Sequence, residues 1–168
     1  MSICMPEQAP PKKNLNPVRT PIHDNDPLDR RGVFVEALIP YTREEALLEA
    51  QRCIQCGKPW CTEECPIHQD ARGYIKLMAA GDFNGARDLI LRDNPLASCL
   101  GDVCYHYCER VCPVVKRGEA IAVRHLKQAA MMYADPATPY APVVPTNGMR
   151  VAVIGGGPAG LMNAWVLG

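Results

Sequence analysis

The chain has 168 residues, a formal net charge of zero, and 6 % aromatic residues within a 48 % hydrophobic composition. That length suits one ordinary domain, or a small domain with part of another, and the absence of any Lys/Arg block longer than two residues argues against a nucleic-acid-binding face. With sixteen prolines and few aromatics, something besides apolar area is expected to hold the chain together.

In chain order, residues 1–40 are proline-rich and polar and read as an extended arm. Within it, the apolar Gly32–Tyr41 (GVFVEALIPY) calls for a covering surface, either the main domain or a partner. Thr42-Arg43-Glu44-Glu45 is a capping box, which starts a helix through REEALLEAQRC and delivers the chain to Cys53. Asp70 is placed to cap a second helix through ARGYIKLMAAG, and Asp82 a third through FNGARDLILRD, stopped by Asn94-Pro95. A fourth helix is expected from about Gly118 to Ala134, and no strand pattern is evident before Arg150. Residues 41–134 therefore read as a helical domain. Four prolines in DPATPYAPVVPTNG mark 135–149 as a stiff linker. From Arg150 to Gly168 the pattern switches to a buried strand, Val151–Ile154, then a glycine turn and a helix start.

Nine cysteines carry the chemistry. The opening MSICMPEQAPPKK has no apolar run long enough for a signal peptide, and no later segment would span a membrane. A reducing, cytoplasmic compartment is expected, where clustered cysteines favour metal over disulfides. The first group is Cys53-x2-Cys56-x4-Cys61-x3-Cys65-Pro66, and the second Cys99-x4-Cys104-x3-Cys108-x3-Cys112-Pro113. A cubane cluster needs four converging thiolates, and cysteine runs that end in Cys-Pro often lend their last thiolate to the other cluster. Two Cys4 zinc sites, forming a redox-inert scaffold, would use the same eight residues. Paired Cys-x2-Cys knuckles usually build such sites, and only one is present, so the spacing favours two [4Fe-4S] clusters. Cys4 reads as a free thiol in the arm. His68 and His106 lie inside the cluster loops, and Arg52, Lys58, Arg110 and Lys116 lie near the thiolates; all could tune a cluster or simply face solvent.

Gly155-Gly156-Gly157-Pro158-Ala159-Gly160 matches the dinucleotide fingerprint G-x-G-x-x-G. Gly155 allows the turn, Gly157 the approach of a pyrophosphate, and Gly160 close helix–strand packing. A full βαβ unit needs around thirty residues, so a nucleotide site is expected to be only begun here, with the rest supplied by a longer protein or by another chain.

Together, EALLEAQRCIQCGKPWCTEECPI, NPLASCLGDVCYHYCERVCPVV, EAIAVRHLKQ and the glycine motif resemble the N-terminal region of the glutamate synthase small (beta) subunit family. Its relatives include dihydropyrimidine dehydrogenase and the large subunit of NADH-dependent ferredoxin:NADP oxidoreductases. The resemblance implies a mainly α fold: a helical ferredoxin domain with two [4Fe-4S] clusters, followed by the first strand and helix start of a Rossmann-like FAD-binding fold. It also implies interlocked ligands, with Cys53, Cys56, Cys61 and Cys112 on one cluster and Cys65, Cys104 and Cys108 on the other. In dihydropyrimidine dehydrogenase the eighth ligand is a glutamine on the following helix. Here Lys127, a poor iron ligand, falls near that position beside Gln128. Cys99 is the softer candidate, with Gln128 as the fallback.

The implied function is electron transfer within an NAD(P)H-linked flavoprotein oxidoreductase, with other redox subunits as partners and neither nucleic acid nor direct membrane insertion. Electron input to a bifurcating complex and a stand-alone ferredoxin-like carrier are the related alternatives.

Overall fold

The computed structural model describes residues 13–138 and 147–167. Cys4 and most of the proline linker lie outside them. The elements are β1 (His23–Asp24), β2 (Leu38–Ile39), α1 (Arg43–Ala50), α2 (Trp60–Glu63), α3 (Ala71–Ala79), α4 (Phe83–Asp93), α5 (Ala97–Val103), α6 (Tyr107–Arg110), a 3-10 turn at Pro113–Lys116, α7 (Val123–Tyr133) and α8 (Pro158–Leu167).

Local chemistry sets the three early helix starts as expected. At α1 the Glu45 amide donates to Thr42 Oγ1 at 3.2 Å and the Thr42 amide to Glu45 Oε2 at 2.8 Å, completing the capping box. Asp70 accepts from the Gly73 amide at 2.9 Å, and Asp82 from the Gly85 amide at 2.8 Å. Each helix then buries one stripe at helical spacing: Ala71, Tyr74, Ile75, Met78 and Ala79 on α3, and Phe83, Ala86, Ile90 and Leu91 on α4. α3 packs on α4, both pack on α7, and α1 closes over α3 and α7. Burying side chains such as Met78, Ile90 and Leu126 contributes roughly 1.5–3 kcal/mol each.

Two features depart from the sequence reading. A short antiparallel ladder does precede Arg150, pairing His23 with Ile39 and Asp24 with Leu38. Its strands are two residues long, too short to show an alternating pattern. The fourth helix starts at Val123 rather than near Gly118, because the intervening amides are bound elsewhere. The Glu119 amide donates to Pro17 O at 2.8 Å, and the Ala122 amide to Glu49 Oε1 at 2.9 Å. A Cβ at Gly118 would collide with the Pro17 carbonyl, so this close approach requires glycine.

The arm is thus built into the helical body from Asn14 onward. Arg52 Nε donates to Asn16 O at 2.9 Å, while Nη2 reaches Pro17 O at 3.1 Å and Glu119 O at 2.8 Å. Its Nη1 pairs with Glu49 Oε1 at 2.7 Å, and both side chains are essentially inaccessible. The second Glu49 oxygen accepts from the Thr20 amide at 2.8 Å. Part of Gly32–Tyr41 is covered by this body: Tyr41 is fully buried and donates its hydroxyl to Thr20 O at 2.7 Å. Val33, Phe34 and Val35 remain exposed.

Removing one member of a buried, hydrogen-bonded ion pair costs about 3–5 kcal/mol. Glu49→Ala is therefore expected to lower stability by about that amount in urea unfolding; a change below about 1 kcal/mol would contradict the role given to this pair. Asp70→Ala is expected to cost about 1 kcal/mol as a lost cap, and an unchanged urea midpoint would contradict it.

Candidate metal centre

α1 ends at Ala50, and the turn that closes it, with the Cys53 amide donating to Ala50 O at 3.1 Å, brings Cys53 to the edge of the core. Gln55 then adopts φ +51°, a left-handed conformation that few residues take without cost, and swings Cys56 back toward Cys53. Arg72 of α3 fixes this loop, donating from Nη1 to Cys56 O at 3.0 Å and to Gly57 O at 3.1 Å. Cys61 comes from α2, and Cys112 arrives from the second group just before the 3-10 turn. These four thiols line one cavity of about 20 Å³ with Ile75, Val114, Ile121 and Val123. Burial, followed by the neighbouring thiols Cys61, Cys112 and Cys56, pushes the Cys53 thiol up to about 11. Cys61 is raised for the same reasons, first by burial and then by Cys56 and, more weakly, Cys112.

The second cavity is larger, about 210 Å³, and mostly apolar. Cys65, Cys104 and Cys108 line it, and Cys61 stands in the wall that it shares with the first. Two more left-handed residues shape its loops, His68 at φ +49° and His106 at φ +45°. The two histidines thus have backbone work in the cysteine loops. His106 also donates its amide to Cys104 Sγ at 3.4 Å, as Gln55 Nε2 does to Cys53 Sγ at 3.4 Å. Such N–H···S contacts favour the more negatively charged state of a bound centre. Burial raises the Cys108 thiol well above its ordinary value, with Glu109, Cys104, Cys61 and Cys65 adding to it. A metal's positive charge would draw such thiols toward the thiolate form.

Seven of the predicted cysteines therefore line two neighbouring cavities, with Cys112 and Cys65 exchanged between the groups. Cys99, on α5, is exposed and lines neither. Gln128 is also turned aside: its Nε2 donates to Asp102 Oδ1 at 2.5 Å, and its Cγ packs against Gly101. Lys127 does line the second cavity. Among the described residues no three Cys, His, Asp or Glu side chains close on a single-ion position; the thiols ring two spaces instead.

Most basic residues that the sequence placed near the thiolates are engaged elsewhere. Arg52 serves the Glu49 pair, Lys58 pairs with Glu63 at 3.1 Å, and Arg110 lies over the Tyr107 ring. Lys116 is exposed. The cations that line the cavities are Arg72, Arg124 and Lys127. The spacing of Arg124 and Lys127, one helical turn apart after the last cysteine, is the signal that would have found two of them.

In the glycine motif, Gly155 takes φ +108° and a Cβ at Gly160 would collide with the Gly155 carbonyl, so both positions demand glycine. α8 opens at Pro158 directly after the turn, and space around Gly157 is open. Val151–Ile154, expected as a strand, pairs with no other segment among the described residues. A strand is defined by its ladder, and the described residues offer it no neighbour.

Residues 30–138 match the family model described as dihydropyrimidine dehydrogenase domain II, 4Fe-4S cluster. The chain is also similar to the glutamate synthase [NADPH] small chain of Escherichia coli, 33 % identical over 144 residues that cover 82 % of this chain and 30 % of that one. It is 34 % identical over 110 residues to the NADPH-Fe(3+) oxidoreductase subunit beta of Geobacter sulfurreducens, covering 64 % of this chain and 16 % of that protein. Over 146 residues it is 28 % identical to the glutamate synthase [NADH] of Saccharomyces cerevisiae, covering 84 % of this chain and 7 % of that protein. The chain spans less than a third of the length of these curated relatives. The match across most of the helical body, together with the ringed thiols, places the chain in the 4Fe-4S family typified by domain II of dihydropyrimidine dehydrogenase.

Proposed function

We propose that the chain is the iron–sulfur electron-transfer part of an NAD(P)H-linked flavoprotein oxidoreductase, similar to the glutamate synthase small subunit, and that it holds two [4Fe-4S] clusters. The observation that carries this reading is the exchange of cysteines between the groups. Cys112 stands with Cys53, Cys56 and Cys61, and Cys65 with Cys104 and Cys108. The donor chemistry fits: soft thiolates in an apolar setting suit iron–sulfur centres. When bound, such clusters supply reversible one-electron storage.

The chain's own residues hold and orient the centres. Gln55 and His106 direct N–H groups at sulfur, and the apolar walls limit water. Cys61 lies in the wall common to both cavities, so centres held in them would be neighbours. Ordering of the route is assigned to the protein as a whole, from NAD(P)H to FAD, through the clusters, to a partner redox subunit.

The glycine turn and α8 are the start of the FAD site, with Gly155, Gly157 and Gly160 at the pyrophosphate and the α8 N-terminus facing it. On this reading 1–40 is the arm, 41–134 the double-cluster domain, 135–149 the linker and 150–168 the opening of the flavin domain. Among the described residues no helix is long and apolar enough to cross a membrane, and the proposed compartment is the cytoplasm, where thiolates stay reduced. The electron acceptor is a further redox subunit of a multi-subunit enzyme, whether glutamate-forming or bifurcating.

Serine substitution tests the interlock. In anaerobically purified protein, Cys112→Ser is expected to abolish the same electron-paramagnetic signal as Cys53→Ser, and Cys65→Ser the same signal as Cys104→Ser. Each is expected to leave roughly half the iron of two cubanes. Loss of one signal by both Cys112→Ser and Cys104→Ser, with the other intact, would mean that each group builds its own centre and would overturn the assignment.

A further inference from the structure

We propose that Lys127 is a positioning residue of the second centre, holding a positive charge against it from the α7 side of the cavity, and that Cys99 is not a ligand. The proposal rests on the two-cluster reading above. Three observations support it.

First, the second cavity is lined by Cys65, Cys104 and Cys108, with Cys61 in the wall that it shares with the first cavity. Cys99 is exposed and lines neither cavity. Gln128 lines neither cavity, and its Nε2 is held by Asp102, while its Oε1 is buried without a partner among the described residues.

Second, Lys127 faces the cavity and is only 8 % exposed, yet it has no hydrogen-bond or ion-pair partner among the described residues. Lys127 lines the cavity with no protein acceptor for its ammonium, so an anion held there, such as an iron–sulfur centre bound by thiolates, would be drawn to that charge. Lysine offers three donors and no acceptor, so it serves such a centre by charge and hydrogen bonding to sulfur.

Third, Arg124 lies one turn earlier on the same face of α7 and also lines the cavity. Its Nη1 donates to Cys104 O at 3.3 Å and its amide to Glu109 Oε1 at 3.1 Å. Arg124 is tied to the loop through Nη1 while its Nε meets no partner among the described residues, and Lys127 adds a second positive charge to the same wall. A nearby cation favours the more negative, reduced state. The second centre should thus accept an electron more readily because of Lys127.

The test compares Lys127→Leu, Lys127→Arg and Cys99→Ser in the anaerobically purified full chain, reading iron content and the midpoint potential of each centre. Lys127→Leu is expected to keep both centres and to make reduction of the second at least tenfold less favourable, a fall of about 59 mV for a one-electron couple. The first centre should be unchanged. Lys127→Arg should retain the parent potential, and Cys99→Ser should change neither iron nor potentials. Loss of the second centre in the Leu variant but not in the Arg variant would also support a required positive charge. Loss of half the iron in Cys99→Ser, an unshifted potential in Lys127→Leu, or loss of the second centre in both lysine variants would overturn the proposal. A parent protein holding zinc and no iron would instead overturn the cluster reading on which it rests.

Discussion

The buried pair of Glu49 and Arg52 is the interaction on which the arrangement depends. Its carboxylate accepts the Thr20 and Ala122 amides, and its guanidinium binds the carbonyls of Asn16, Pro17 and Glu119. One pair therefore joins the arm, the end of α1 and the chain that enters α7. Burying two charges is not in itself stabilising, because desolvation cancels much of their attraction. What it supplies here is position. Arg52 precedes Cys53 directly, and the segment it grips follows Cys112, so the pair helps to bring the start of the first cysteine group to the end of the second.

Around that frame the sequence places conformations and charges that an apolar core would not select. Gln55, His68 and His106 all take left-handed backbone angles inside cysteine loops, each costing on the order of 1 kcal/mol or more. Several thiols are held neutral by burial and by one another, and a buried lysine faces the second cavity without a protein partner. These costs share one remedy, a centre bound by thiolates whose formation is coupled to folding. The scarcity of aromatic residues fits the same account, since metal–thiolate bonds would supply cohesion that a small apolar core lacks.

Features governed by neighbouring residues were legible in the sequence. The caps at Thr42, Asp70 and Asp82 and the stop at Asn94 follow from local chemistry, and the helical stripes follow from spacing. Features governed by distant partners were not. The delayed start of α7 depends on Pro17 and Glu49, which lie roughly one hundred and roughly seventy residues earlier, respectively. The two-residue strands carry too little pattern to be recognised. In the candidate site, the cysteines and the exchange between groups were open to sequence reasoning through spacing and family resemblance. The position of Cys99 was not: softness favours it as a ligand, while on α5 it is exposed and lines neither cavity, a placement that depends on how α5 packs on α7. The segment Val151–Ile154 has strand composition, and composition alone does not provide a ladder.

The central claim is that the ringed thiols hold two cubane centres. Metal and acid-labile sulfide analysis of the anaerobically purified protein, with its visible spectrum before and after dithionite, tests this most directly. The account predicts a brown protein with roughly eight irons and eight sulfides per chain and absorption that bleaches on reduction. A colourless protein with about two zinc ions and no labile sulfide would contradict it.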